Sequence, residues 1–290
     1  MNASFNTRES PGLRMTYARP VVVNADRAYA GAAMTCLTSL YLNSPTLTFD
    51  TYWFTGAGDG AADTPAILEA IDRLADTFGR RVELVTVDDR RFESLTRPRL
   101  EYLGNVTYAR LLIADLIEAD SFVYLDSDTI VQVDIEPLLA LPTDEWLFAG
   151  AADGVDKVWL DMERRRLGLV PQEPVLNAGV AIINAEAWRR EKALEQLLAW
   201  HDANTARVEL ADQDLVNAAF AGRKHVLDGQ WNVLLHALSA EEIERFDADA
   251  FRGIFHYSGP TKPWLGSTPA PVRALYEKYA AVSPLRMPPG

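Results

Sequence analysis

The stretch FVYLDSDTIVQVDIEPLL, residues 122–139, drives an apolar run, Phe122 to Leu125, straight into Asp126-Ser127-Asp128. The run has the composition of a strand inside a parallel sheet. If the chain stays extended, side chains alternate, so Asp126 and Asp128 share a face and Ser127 takes the other. Two carboxylates held that close repel each other unless a cation lies between them. A pair of solvated turn aspartates is the plainer reading of an arbitrary Asp-x-Asp, but the end of an apolar strand favours the cation. Hard oxygen ligands on a shallow edge suit Mg²⁺ or Mn²⁺, which keep coordination positions open for phosphate oxygens.

Outward from this stretch the chain alternates. Val21–Val23 reads as a buried strand entering the polar turn NADRAY, and a helix is expected over residues 30–42. TLTFDTYWFTGAGDG reads as a strand closed by glycines 56, 58 and 60. A helix over 64–78, a strand over 82–88 and a helix over 107–120 lead into the quoted segment. This β-α-β-α-β order is the signature of an α/β fold with a central, mainly parallel sheet flanked by helices, where ligands bind beyond the carboxyl ends of strands. Asp26 and Asp126-Ser127-Asp128 occupy such ends. Further strands are expected at 147–153, 179–185 and 254–259, and helices at 191–202, 212–221 and 270–281. No repeat or linker divides the chain, so one domain is expected over 19–282, between an N-terminal tail, 1–18, and a C-terminal tail, 283–290.

The 290 residues are 48% hydrophobic and 10% aromatic, enough for a full core. Lys plus Arg total 28 against 41 Asp plus Glu, a formal charge of −13. That balance speaks against nucleic acid and against an anionic membrane surface as partners. A phosphorylated ligand would need a local device such as a metal, a basic pocket or a helix N-terminus. Cys36 is the lone cysteine and lies in an apolar helical stretch, where a buried structural thiol is expected. No apolar run approaches the ~18 residues of a membrane span, and MNASFNTRESPGLRMTYARP lacks a hydrophobic signal core, so a cytoplasmic location is expected.

An Asp-x-Asp ending a strand does not by itself separate two enzyme classes. Phosphotransferases of the haloacid-dehalogenase type also begin this way, usually near the chain start and with Thr or Val where this sequence has Ile130. The segments TYAR (107–110), YLDSD (124–128), NAGVAIINAEAWR (177–189), DQDLVN (212–217) and HYSGPTKPW (256–264) decide between them. Together with NADRAY they resemble family 8 glycosyltransferases, in the same order from about residue 19 to 265. That family includes bacterial lipopolysaccharide galactosyl- and glucosyltransferases, glycogenin and galactinol synthase. The resemblance implies the GT-A fold and a UDP-sugar donor carrying galactose or glucose. It also implies Mn²⁺ as cofactor (Mg²⁺ possible), a hydroxyl acceptor and retention of the anomeric configuration.

By resemblance, Asp126, Asp128 and His256 hold the metal, and a histidine among carboxylates moves the preference toward Mn²⁺. Lys262 would reach the diphosphate, with Gly259 admitting backbone beside it. Asp26 would read the base and Tyr29 lie near it. Ala28 and Arg27 depart from the residues common there, which puts one ribose contact, and strict uracil recognition, in doubt. Arg110 and Ser127 would touch the donor, while Asn177, Ala178 and Gly179 line its sugar. Asp153 would bind sugar hydroxyls, Asp212 would orient them, and Gln213 would sit nearest the anomeric carbon. A neutral amide there is a poor nucleophile, so its expected work is to stabilise an oxocarbenium-like centre. The block 156–174 would fold over the donor and shape the acceptor cleft, or else form a plain helix and surface loop. The ending SPLRMPPG lacks a basic aromatic tail, which points to a soluble acceptor. A sugar-nucleotide-binding protein without catalysis is the remaining alternative.

Overall fold

The computed structural model describes residues 15–57, 61–88, 90–93, 95, 106–154 and 156–288. Glycines 58 and 60, expected to close a strand, lie outside them. In chain order come β1 (Met15–Thr16), β2 (Val21–Asn24), α1 (Ala30–Asn43), β3 (Leu47–Thr48), β4 (Thr51–Gly56), α2 (Pro65–Phe78) and β5 (Val82–Val87). Then α3 (Val106–Leu116) leads into β6 (Phe122–Asp126), β7 (Thr129–Val131), α4 (Glu136–Ala140), β8 (Phe148–Ala152) and α5 (Lys157–Leu167). The remainder comprises β9 (Leu176–Ile183), α6 (Ala185–Arg190), α7 (Ala193–Asn204), α8 (Asp212–Ala219), β10 (Lys224–Leu227), β11 (Val233–Leu234), α9 (Ala240–Glu244), β12 (Ile254–His256) and α10 (Ala270–Ala280).

The central sheet has seven strands in the order β10-β8-β9-β6-β2-β4-β5. Its neighbours pair in parallel except on both sides of β9, which runs against β6 and β8. A small sheet, β11-β12-β7, stands beside it. Strand alternation sorts the core: Val21 and Val23 face the layer of α1 and α2, and Val22 faces the layer of α3, α7 and α8. Ile67, Ala70, Ile71 and Leu74 form the buried stripe of α2, and Pro65 starts that helix where a missing N–H costs nothing. Helix α1 is buried nearly all round. Its hydroxyls are satisfied within the helix, Thr35 and Thr38 donating to the carbonyls of Gly31 and Met34. Cys36 lies inside it with no exposure, its thiol pushed up to about 12 by burial, which fits a structural group.

Several boundaries differ from expectation. Helix α3 stops at Leu116 rather than 120, ahead of Glu118 and Asp120, whose charge is unfavourable at a helix C-terminus. The strand expected at 179–185 begins three residues earlier and yields at Asn184, whose side chain accepts from the Ala187 N–H to start α6. The helix expected at 191–202 is two helices. Lys192 between them takes φ 53°, which no continuous helix allows. At the ends, Met15–Thr16 pairs with Leu47–Thr48, and the Arg286–Met287 backbone runs across Gly31 of α1.

Candidate active site

A cleft of about 470 Å³ opens at the carboxyl edge of the central sheet. Strands β2, β6 and β8 end there, delivering Asp26, Asp126 and Asp153. Because β9 is reversed, it starts at the same edge, and so Asn177, Ala178 and Gly179 join the others. Every site residue expected from the sequence lines this cleft: Asp26, Tyr29, Arg110, Asp126, Ser127, Asp128, Asp153, Asn177, Ala178, Gly179, Asp212, Gln213, His256, Gly259 and Lys262.

Asp126 and Asp128 do not converge by strand alternation. Strand β6 ends at Asp126, Ser127-Asp128 is a turn, and β7 then pairs antiparallel with β12, placing Thr129 against His256. Thr129 Oγ1 donates to the Asp126 carbonyl at 2.8 Å, and the Tyr257 N–H to the Asp128 carbonyl at 3.0 Å, so both strands close the turn. One ligand atom from each of Asp126, Asp128 and His256 falls within 4.8 Å of the others. His256 Nε2 stands 3.3 Å from Asp128 Oδ1 and 3.6 Å from Asp126 Oδ2. Its Nδ1 faces Asn232 Oδ1 at 3.1 Å, which assigns the proton to Nδ1 and turns the Nε2 lone pair toward the carboxylates. Gly179 makes the space: a Cβ there would lie 2.1 Å from His256 Cε1 and 2.7 Å from Asp126 Oδ2. Two hard oxygens and one imidazole nitrogen are a donor set that fits a divalent ion of the Mn²⁺ type.

From Asn232 a chain of amides crosses the floor. Asn232 Nδ2 donates to Asn177 Oδ1 at 2.9 Å, and Asn177 Nδ2 to Gln213 Oε1 at 3.1 Å. Gln213 Oε1 also accepts from the Ala178 N–H at 3.2 Å, and Gln213 Nε2 donates to Asp153 Oδ2 at 2.9 Å. A backbone N–H on one side and a carboxylate on the other leave the Gln213 amide a single satisfied orientation.

Arg110 binds three segments together. It donates to Asp126 Oδ1 at 2.8 Å and to the Ala178 carbonyl at 3.0 Å, lies 3.0 Å from Asp212 Oδ2, and stacks 4.6 Å over the Tyr124 ring. Asp212 is buried, and its pKa is pushed up to about 7 by that burial; the Asp126 charge adds to the shift and Arg110 opposes it. Asp128 is held well below the usual carboxylate range: burial works against its charge, but the Lys262 ammonium outweighs it. The residue before Asp212 is strained. Ala211, fully buried, has φ 52° and ψ −129°, a conformation that disfavours side chains. Asp214 holds it there: Oδ2 accepts the Glu209 and Leu210 N–H groups at 2.7 Å each, while Arg166 of α5 clamps both carboxylate oxygens at 2.7 Å.

At the opposite end, Asp26 Oδ1 accepts the Tyr29 N–H at 3.1 Å, so Asp26 caps its own turn as well as lining the cleft. Trp264 braces the Tyr29 ring edge-on, with centroids 5.6 Å apart. The block 156–174 carries α5, capped by Asp156, and its Trp159 faces the cleft.

Sequence reasoning missed several residues. Asn232 is 3% exposed, and its only signal was an amide among the apolar residues of QWNVLL. His236 also lines the cleft, its Nε2 3.2 Å from Asp153 Oδ1 and its Nδ1 2.6 Å from Ser258 Oγ. It is one of only four histidines, which was reason to weigh it.

Among known proteins, the chain is 28% identical over 230 residues to the lipopolysaccharide 1,3-galactosyltransferase of Salmonella typhimurium, covering 74% of this chain and 65% of that one. It is 26% identical over 223 residues to general stress protein A of Bacillus subtilis, covering 71% and 76% respectively. Among eight such curated relatives, the share of their own length that this chain spans runs from 21% to 76%. The crystal structure of galactosyltransferase LgtC with donor and acceptor sugar analogues superposes with TM-score 0.76 at 21% identity, over 91% of this chain and 96% of that one. That likeness shows the GT-A fold. The profile described as glycosyl transferase family 8 matches residues 20–268, and the chain belongs to that family.

Proposed function

We propose that this glycosyltransferase is a metal-dependent, retaining hexosyltransferase that moves galactose or glucose from a UDP-sugar to a hydroxyl of a soluble acceptor, forming an α-glycosidic bond. The observation that carries the reading is the meeting of Asp126, Asp128 and a tautomer-fixed His256 beside Lys262 at one cleft edge. Mn²⁺ is the preferred cofactor, with Mg²⁺ possible. When bound there, a divalent ion supplies charge neutralisation for a leaving diphosphate. The chain's own groups do the rest. Lys262 pairs with the diphosphate, Gly259 (φ 86°) brings backbone close to it, and Asp26 and Tyr29 receive the base. Ser127 and Arg110 contact the donor from below. Asp153, Asn177, Ala178, Gly179 and Asp212 surround the sugar.

Gln213 supports retention. Its amide lies at the position matched to the β face of the anomeric carbon, where an inverting enzyme needs a carboxylate to deprotonate the acceptor. In the retaining reading the departing phosphate oxygen takes that proton, on the face where the acceptor arrives. The galactosyltransferase relatives make galactose the first donor to try. A cytoplasmic setting belongs to the same proposal; among the described residues no helix is long and apolar enough to cross a membrane.

The test is UDP release from a panel of UDP-sugars with Mn²⁺, repeated with EDTA. Release should stop on chelation, and proton NMR of the first product should give the small anomeric coupling of an α linkage. Turnover that survives EDTA would falsify the metal assignment, and a β-linked product would overturn retention.

A further inference from the structure

Each of the two ligand carboxylates already faces a cation of its own. Asp126 pairs with Arg110, and Asp128 with Lys262. The two cations are held differently. Arg110 sits on helix α3 with its guanidinium divided among Asp126, Asp212 and the Ala178 carbonyl, stacked on Tyr124. Its planar fork matches this one arrangement, and any rotation breaks several contacts together. Lys262 sits on the connection from β12 to α10, two residues beyond Pro260 and three beyond Gly259, whose φ of 86° marks a left-handed bend in the backbone. Its ammonium donates to Asp128 Oδ2 and, at 2.8 Å, to the Tyr257 carbonyl. A compact charge on a four-carbon stem can exchange one anionic partner for another by side-chain rotation.

Asp126 and Asp128 are balanced by Arg110 and Lys262, 2 − 2 = 0, and Asp212, which shares Arg110, adds at most one negative charge. A divalent ion arriving alone would leave an excess of positive charge in a buried site, and it would compete with Lys262 for Asp128. A diphosphate arriving with it brings the compensating negative charge and a new partner for the lysine. We infer that Lys262 is a transferable counter-ion, which holds Asp128 until a divalent cation takes that carboxylate and then passes to the diphosphate, so that ion and nucleotide bind as one charge-balanced unit. The inference rests on the nucleotide-sugar reading of the cleft. Its consequence is a crossing of signs that an ordinary diphosphate ligand would not produce. The lysine opposes the ion by itself and favours the ion together with the nucleotide.

The experiment follows Mn²⁺ uptake by loss of the free-ion electron paramagnetic resonance signal, with and without UDP, in the intact protein and in Lys262→Met and Arg110→Met. Wild type should take up Mn²⁺ weakly alone and at least about tenfold more tightly with UDP, a coupling that linkage makes reciprocal. Lys262→Met should bind Mn²⁺ alone about tenfold more tightly than wild type and the Mn²⁺–UDP pair about tenfold more weakly, collapsing the coupling from both ends. Arg110→Met should weaken both, because the loss of the fork that fixes Asp126 and the Ala178 carbonyl outweighs the loss of one positive charge. Thermal melts check the fold. If Lys262→Met melts far below wild type, Lys262→Gln, which keeps a donor to the Tyr257 carbonyl, carries the same expectation. Should the lysine variants take up Mn²⁺ alone no more tightly than wild type while losing UDP, Lys262 is only a diphosphate ligand and the inference falls, with the donor reading intact. Should wild type take up no Mn²⁺ even with UDP, the donor reading itself falls.

Discussion

Asp126, Asp128 and Lys262, and the amides of Asn177 and Gln213 backed by Asn232, meet at the same cleft with opposite chemistry. The first wall is charged, and by the inference above its members exchange partners when ions arrive. The second is a run of neutral amides in which each donor has an acceptor already, so it neither titrates nor re-pairs cheaply. The difference separates two tasks. On the proposed function, the charged wall decides what binds and with which ion, and the amide wall decides where the bound sugar stands.

Damage to each wall should therefore read out differently. The largest effect is expected from Asp128→Asn, which removes a charged ligand of the proposed metal. Turnover measured as UDP release at saturating Mn²⁺ should drop by about a thousandfold. Its melting temperature should also fall, because Lys262 remains buried opposite a neutral partner. Activity within tenfold of wild type would break the assignment of this wall. Next comes Gln213→Ala, expected to cost about a hundredfold in turnover while UDP affinity by calorimetry changes by less than about twofold. A parallel loss of UDP affinity would erase the division of labour between the walls.

Asn232 sharpens the comparison because it touches both sides, His256 on one and Asn177 on the other. Asn232→Leu should weaken Mn²⁺ affinity in the presence of UDP by 10- to 100-fold, roughly the effect of losing a ligand-orienting partner. Unchanged affinity would mean that the imidazole keeps its tautomer without help. The smallest effect concerns stability. Asp212 has its folded pKa raised to about 7 from an ordinary value of 3.8, chiefly by burial. The folded state therefore holds this proton more tightly than the unfolded one. Stability from the group is complete below pH 3.8 and is lost as pH rises through about 7. Asp212→Asn removes that penalty, so calorimetry should show a melting temperature about 5 °C higher at pH 8 and a smaller gain at pH 5. An equal loss at both values would show that the pairing with Arg110 outweighs the burial.

The walls were not equally legible in the sequence. Charged residues stand out when an apolar strand ends on them, and Asp26, Asp126 and Asp128 could be placed from local pattern alone, while Asp153 came with the resemblance. Asn177 and Gln213 came from motif order, because a buried amide has no periodic signature. Asn232 escaped because its meaning lies in contacts with residues far along the chain. Strand periodicity located β9 but carries no direction, so the reversal that brings Asn177 to the same edge as Asp126 could not be read. Ala211 has a different cause: tertiary contacts override backbone preference there, through the Asp214–Arg166 clamp beside it.

That reversal has a consequence for diversification. Ala152 at the end of β8 pairs with Leu176 at the start of β9, so the passage from Asp153 to Val175 is topologically an enlarged hairpin loop with its stem already tied. It carries α5 and Trp159 along the mouth of the cleft. Lengthening such a loop costs little chain entropy, about 0.6 kcal/mol for each doubling, and shifts no register in the sheet. A lineage, or an engineer, could thus rebuild the mouth of the cleft by insertion and deletion while β8, β9 and the residues at their ends stay where they are. On the expectation that this block shapes the acceptor cleft, chimeras that exchange it should move acceptor preference from one scaffold to another.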